Sequence, residues 1–96
     1  MKCNVVVSPA AREEFKEIHA FVKKQFGKVP AARLKASYQS ALKSIRNNPL
    51  QFPQVEGIPG LHKCVLRSLT TVYYQVVEQT ATVHRVTDGR QQSRTY

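Results

Sequence analysis

The sequence predicts an α+β fold: an N-terminal strand, an antiparallel helical hairpin, then a three-stranded antiparallel meander, with the helices packed on one face of a twisted sheet. Three observations carry this. Two stretches of the first half repeat their apolar residues at helical spacing, and three β-type runs follow one another between His62 and Val86. Between the halves lies Leu50–Gly60, which holds Pro53, Gly57, Pro59 and Gly60 and reads as a crossing loop. At 96 residues the chain is expected to be one domain, because a second core could not be filled.

Asn4–Val7 is a β-branched run that stops at Ser8-Pro9, where Ser8 can cap a helix and Pro9 can occupy its first position. The first helix is expected from Pro9 to about Gln25. Ala11, Phe15, Ile18 and Val22 form its apolar stripe, and Gly27 ends it. Glu13, Glu14 and Glu17 near its start and Lys23 and Lys24 near its end suit the helix dipole, and the acidic cluster is read as helix-end electrostatics. Pro30 opens the second helix, with Ala31, Leu34, Tyr38, Ala41, Leu42 and Ile45 inward and Asn47-Asn48-Pro49 as its stop. A short connection makes the pair a hairpin.

The meander is expected as His62–Arg67, Thr70–Val77 and Ala81–Val86, with turns at Ser68-Leu69 and Glu78-Gln79-Thr80. Two-residue alternation puts Cys64 and Leu66 on the covered face and Lys63, Val65 and Arg67 on the open one. On the middle run Val72, Tyr74 and Val76 face the helices, leaving Thr71, Tyr73 and Gln75 outside. The third run is ambiguous: Ala81 and Val83 read as inward, yet Arg85 shares their parity.

Fifteen Lys and Arg against six Asp and Glu give a net charge of +9. That balance attracts anionic surfaces, nucleic acid or an acidic protein segment, without choosing between them. The excess centres on residues 28–67, where Glu56 is the sole acid. Cys3 and Cys64 are too few for a disulfide framework or a metal site, so two free thiols in a reducing cytoplasm are expected, with no cofactor and no metal. No apolar run approaches the roughly 20 residues of a membrane span, so no membrane partner is expected.

Order and residues together resemble the RelE/ParE superfamily of bacterial toxins over nearly the whole chain. The likeness is carried by the opening strand with Ser8-Pro9-Ala10-Ala11, by Ile45-Arg46-Asn47-Asn48-Pro49, and by His62-Lys63-Cys64-Val65-Leu66-Arg67. Val72-Tyr73-Tyr74-Gln75-Val76 and Val83-His84-Arg85-Val86, ending in Asp88-Gly89-Arg90-Gln91, complete it. The resemblance implies a twisted antiparallel sheet under a helical hairpin and a cognate antitoxin as partner. It also implies one of two targets: RelE-like members cleave messenger RNA in the ribosomal A site with basic residues of the open sheet face, whereas ParE-like members poison DNA gyrase.

Cutting RNA needs an activated 2′-OH and several cations or donors converging on one phosphate. Lys63, Arg67 and Arg90 match basic positions of the ribonuclease pattern. Val65 stands where that pattern has lysine, Thr71 where it has arginine, and Asp88 where many relatives have a basic residue or histidine; Gln91 departs as well, and Tyr96 is a candidate for the terminal tyrosine. The resemblance to ParE-like toxins is therefore favoured, with Lys63, Arg67, Tyr73, Arg85, Arg90 and Arg94 as expected target-binding residues and none committed as catalytic. The alternatives are a ribosome-dependent endoribonuclease using Lys63, Arg67 and Arg90, with ribosome and messenger as partners, or an inactive binding remnant of the fold. Lys63 and Arg67 also read as plain solvated charges, Tyr73 and Tyr74 as sheet packing, and His84 as a cross-strand neighbour rather than an acid or base.

Overall fold

The computed structural model describes residues 2–66 and 69–89, which form β1 (Asn4–Val7), α1 (Pro9–Phe26), α2 (Lys28–Asn47), β2 (Leu61–Val65), β3 (Thr70–Val77) and β4 (Thr80–Asp88). Ser8 caps α1 as expected: its extended backbone turns the chain, and its Oγ accepts the Ala11 N–H at 3.0 Å. A single residue, Gly27, joins the helices with φ 100° and ψ 179°, a conformation essentially restricted to glycine. α2 starts at Lys28, two residues before Pro30, which therefore lies in the first turn, where a helix leaves its N–H groups unbonded anyway.

The strands run in the order β1-β4-β3-β2. The meander is antiparallel throughout, but β1 lies parallel to β4, with Asn4 opposite Thr80 and Val7 opposite Val83. The sheet is thus mixed rather than wholly antiparallel. No hairpin links β1 to β4, so no turn residue in the sequence reports their relative direction.

The helical stripes and the covered sheet face meet in one core. Ala11, Ile18 and Val22 of α1 and Ala31, Leu34, Tyr38, Ala41 and Ile45 of α2 are buried with Cys64, Leu66, Val72, Tyr74, Ala81, Val83 and Val86. Phe15 stacks on Tyr38 across the hairpin, centroids 3.9 Å apart. Tyr74 anchors the crossing loop to this core: its hydroxyl donates to the Pro49 carbonyl at 2.6 Å and its ring lies against His62. The His62 ring Nδ1 in turn pairs with the Phe52 carbonyl at 2.8 Å. Burial pushes the Tyr74 hydroxyl up from 10.0 to about 12, with the neighbouring Cys64 and Cys3 thiols adding in the same direction.

β4 reaches from Thr80 to Asp88, one residue earlier and two later than expected. Val77 pairs with Thr80, so Glu78-Gln79 makes a two-residue turn with Glu78 at φ 56°. β4 also resolves the parity conflict of the third run. Tyr74 pairs with Val83 and Tyr73 with Arg85, so His84 is an extra residue, a β-bulge. The alternation resets there: Ala81 and Val83 are buried before it, His84 and Arg85 are both exposed, and Val86 and Asp88 are buried after it.

Candidate interaction face of the sheet

The face of the sheet away from the helices is built by the alternate residues of all four strands. Register places three of the expected target-binding residues in one row across it: Lys63 of β2 opposite Tyr73 of β3, and Tyr73 opposite Arg85 of β4. Lys63 and Arg85 are exposed and Tyr73 is half-buried between them. Arg67, Arg90 and Arg94, together with Gln91 and Tyr96, lie outside the described residues. Of the three residues a ribonuclease reading requires, Lys63 alone can therefore be placed.

The next row is uncharged. Val65 pairs directly with Thr71, so the two positions where the ribonuclease pattern has cations are cross-strand neighbours, and Val65 is 62% exposed. Among the described strand residues, Lys63 and Arg85 are the two cations on this face. Asp88 points the other way, 8% exposed, and accepts a hydrogen bond from the Thr70 hydroxyl at 3.2 Å.

Arg85 is held by an acid that helix-end electrostatics does not account for. Glu14 sends one carboxylate oxygen to Arg85 Nε at 2.6 Å and accepts the Val86 N–H on the other at 2.8 Å. β1 has ended opposite Val83, and the Ser8 N–H takes the Val83 carbonyl at 2.9 Å, so α1 continues the edge that β1 leaves. The Ser8 hydroxyl donates to the His84 carbonyl at 3.3 Å. Glu14 and Ser8 together thus serve backbone groups at and beside the bulge, and the reading of Glu14 as a mere helix-end charge is corrected. Its signal was in the sequence: Glu14 stands three residues after Ala11 and four before Ile18, on the apolar stripe itself.

His84 also points to the open face, where its Nε2 meets the Gln75 side-chain oxygen at 3.3 Å, the cross-strand arrangement set against a catalytic role. His62 is buried under the loop, and His19 sits beside Phe15 on α1, so neither joins it. Tyr74 is core and Tyr73 open face, which separates the adjacent tyrosines by role.

The family model described as the ParE toxin of the type II toxin–antitoxin system parDE matches residues 5–93. Among curated proteins no sequence matches. Solved structures share the fold, among them the following three. A structure described as the chromosomal ParDE system of P. aeruginosa superposes with TM-score 0.78 at 13% identity, over 91% of this chain and 96% of that one. A mutant of the E. coli toxin RelE in the free state gives TM-score 0.65 at 20% identity, over 96% and 88%. The E. coli DinJ–YafQ toxin–antitoxin complex gives 0.64 at 11%, over 97% and 99%.

Proposed function

The chain belongs to the ParE toxin family and is a toxin of a type II toxin–antitoxin system; from that premise we propose that it inhibits DNA gyrase by protein–protein contact in the cytoplasm and is neutralised by a cognate antitoxin. The observation that carries the choice of target is the Val65–Thr71 pair. Phosphoryl chemistry on RNA needs several preorganised cations around one phosphate, and each missing donor costs about 10²–10³ in rate. Here two of the expected positions, side by side, supply a methyl-rich surface and a hydroxyl.

What the face does offer suits recognition of a protein surface. An exposed cation, a half-buried tyrosine and an arginine held by Glu14 run in line across three strands, flanked by exposed Val65. Aromatic and arginine side chains on a rigid sheet are the residue types that dominate protein–protein binding energy. An antitoxin fits the other half of the reading, since a segment that folds on binding stays exchangeable.

The test is direct. Purified chain at micromolar concentration, added to gyrase and supercoiled DNA, is expected to accumulate double-strand breaks that the antitoxin prevents. No effect on gyrase, or A-site cleavage of messenger by the wild-type chain that is lost in Lys63→Ala with Arg67→Ala, sinks the proposal.

A further inference from the structure

The hairpin between β2 and β3 closes on a leucine where the backbone asks for glycine. The Leu66 N–H donates to the Thr70 carbonyl at 2.7 Å, so three residues make the loop and Leu69 is the last of them. Its φ is 68°, the left-handed conformation that ends three-residue hairpin loops and that glycine or asparagine normally supplies. A leucine there is strained, because its Cβ crowds the following carbonyl.

Burial does not compensate. Leu69 is 60% exposed, although its carbonyl is tied down by the Gly89 N–H at 3.1 Å. A Cβ at position 89 would lie 3.6 Å from that of Leu69, and glycine puts nothing there. Thr71, two residues further on, pairs with Val65, which is as exposed as Leu69. Val65 and Leu69 thus flank the closed end of one hairpin as exposed aliphatics, beside the row that begins with Lys63. The strands and their turns carry two described acids, and neither is exposed here: Asp88 points inward, and Glu78 lies in the turn at the other end of β3. Strain kept at an exposed position stabilises nothing in the free chain, so its use lies in what binds there.

We infer that Leu69 and Val65 are the apolar anchor of the contact with the target, seated in an aliphatic socket rimmed by carboxylates on the surface of the target protein. This rests on the proposal that the chain acts on gyrase by contact, and it names which side chains enter the target. The socket takes two side chains that the fold leaves in water, while the acidic rim meets Lys63 on a chain of net charge +9. Nucleic acid is disfavoured as occupant, since neither aliphatic offers a donor to phosphate or a ring on which a base could stack.

Substitution at position 69 separates binding from folding, because asparagine and glycine adopt this φ more readily than leucine. Leu69→Asn and Leu69→Gly are expected to unfold at the same urea concentration as the wild type or a higher one. Both should nevertheless need about tenfold more protein, or beyond, for the same gyrase-mediated DNA cleavage. Val65→Thr, which exchanges a methyl for a hydroxyl, is expected to lose about threefold or more, and the same change at Val77, an equally exposed valine at the far end of β3, to stay within about twofold. Wild-type potency in the Leu69 variants, or equal losses in Val65→Thr and Val77→Thr, overturns the anchor while leaving gyrase inhibition standing. A lower urea midpoint in both Leu69 variants overturns the assignment of strain to this position, and with it the anchor. No effect of the wild-type chain on gyrase overturns both the anchor and the proposed target. Leu69 variants that keep their potency on gyrase but lose the antitoxin, or a dimer of the free chain, assign the pair to that occupant instead.

Discussion

Replacing Glu14 by alanine removes two interactions of unequal worth. One carboxylate oxygen accepts the part-buried Val86 N–H at 2.8 Å, beyond the end of β1, where nothing else in the described chain replaces it. A hydrogen bond to a charged group is worth about 1.5–3 kcal/mol. The other oxygen pairs with Arg85 Nε at 2.6 Å, but the arginine side chain is 48% exposed, so solvent screens that pair to at most about 1 kcal/mol. Glu14→Ala is therefore expected to cost about 2–3 kcal/mol, most of it from the backbone N–H. Urea unfolding is the assay, with Glu14→Gln and a double-mutant cycle against Arg85→Ala. Glutamine keeps an acceptor for Val86 without the charge and is expected to restore about half the loss, and the coupling to Arg85 should stay below about 1 kcal/mol. An alanine variant within about 0.5 kcal/mol of wild type, the range of ordinary surface changes, refutes the reasoning. So does a cycle in which the coupling to Arg85 accounts for the entire loss.

Other outcomes follow from the same geometry. Tyr74 keeps its proton up to about pH 12 in the fold but releases it near 10.0 when unfolded. The unfolded chain therefore loses protons first as pH rises. The Tyr74 contribution is complete below about pH 10 and falls away by about pH 12, by roughly 2–3 kcal/mol. Tyr74→Phe, compared with wild type by thermal unfolding, should flatten this alkaline fall, while costing about 1–3 kcal/mol at neutral pH because the buried Pro49 carbonyl loses its donor. Gly27→Ala meets no atom within 4 Å of the new methyl, so its expected cost of about 1–3 kcal/mol, read from urea unfolding, is backbone strain alone. Lys63→Ala should leave stability within about 0.5 kcal/mol while weakening the effect on gyrase in the DNA-cleavage assay; equal potency would remove Lys63 from the target-binding row.

The elements were legible because each carries a local signal. Ser8-Pro9 starts α1, and the alternation of β2 and β3 sorts Cys64, Leu66, Val72 and Tyr74 inward from Lys63, Val65, Thr71 and Tyr73. The pairing of β1 with β4 was not legible, since partners such as Val5 and Ala81 are separated by nearly the whole chain and joined by no turn. The bulge was half legible. A run in which Ala81, Val83 and then Val86 are the apolar positions cannot be a regular strand with one buried face, and that conflict marks where one extra residue resets the alternation. Place along the helix makes Glu14 a helix-end charge; its place around the helix, on the stripe of Ala11 and Ile18, is what brings it to the Val86 N–H.

The bulge bears on the choice between chemistry and recognition. Without it, Arg85 would share the inward face of Ala81 and Val83; with it, His84 and Arg85 both reach the open side. Adjacent strands lie about 4.8 Å apart, so the Lys63 and Arg85 backbones, with the Tyr73 strand between them, stand about 10 Å apart. Their long side chains would have to lean together over Tyr73 to meet on one phosphate. The Arg85 guanidinium instead turns toward Glu14, and the row beside them, where closer cations would sit, holds Val65 and Thr71. A flat row of spaced, partly neutralised groups resists convergence on a single atom and favours contact over an area, which is the form of action proposed for this toxin.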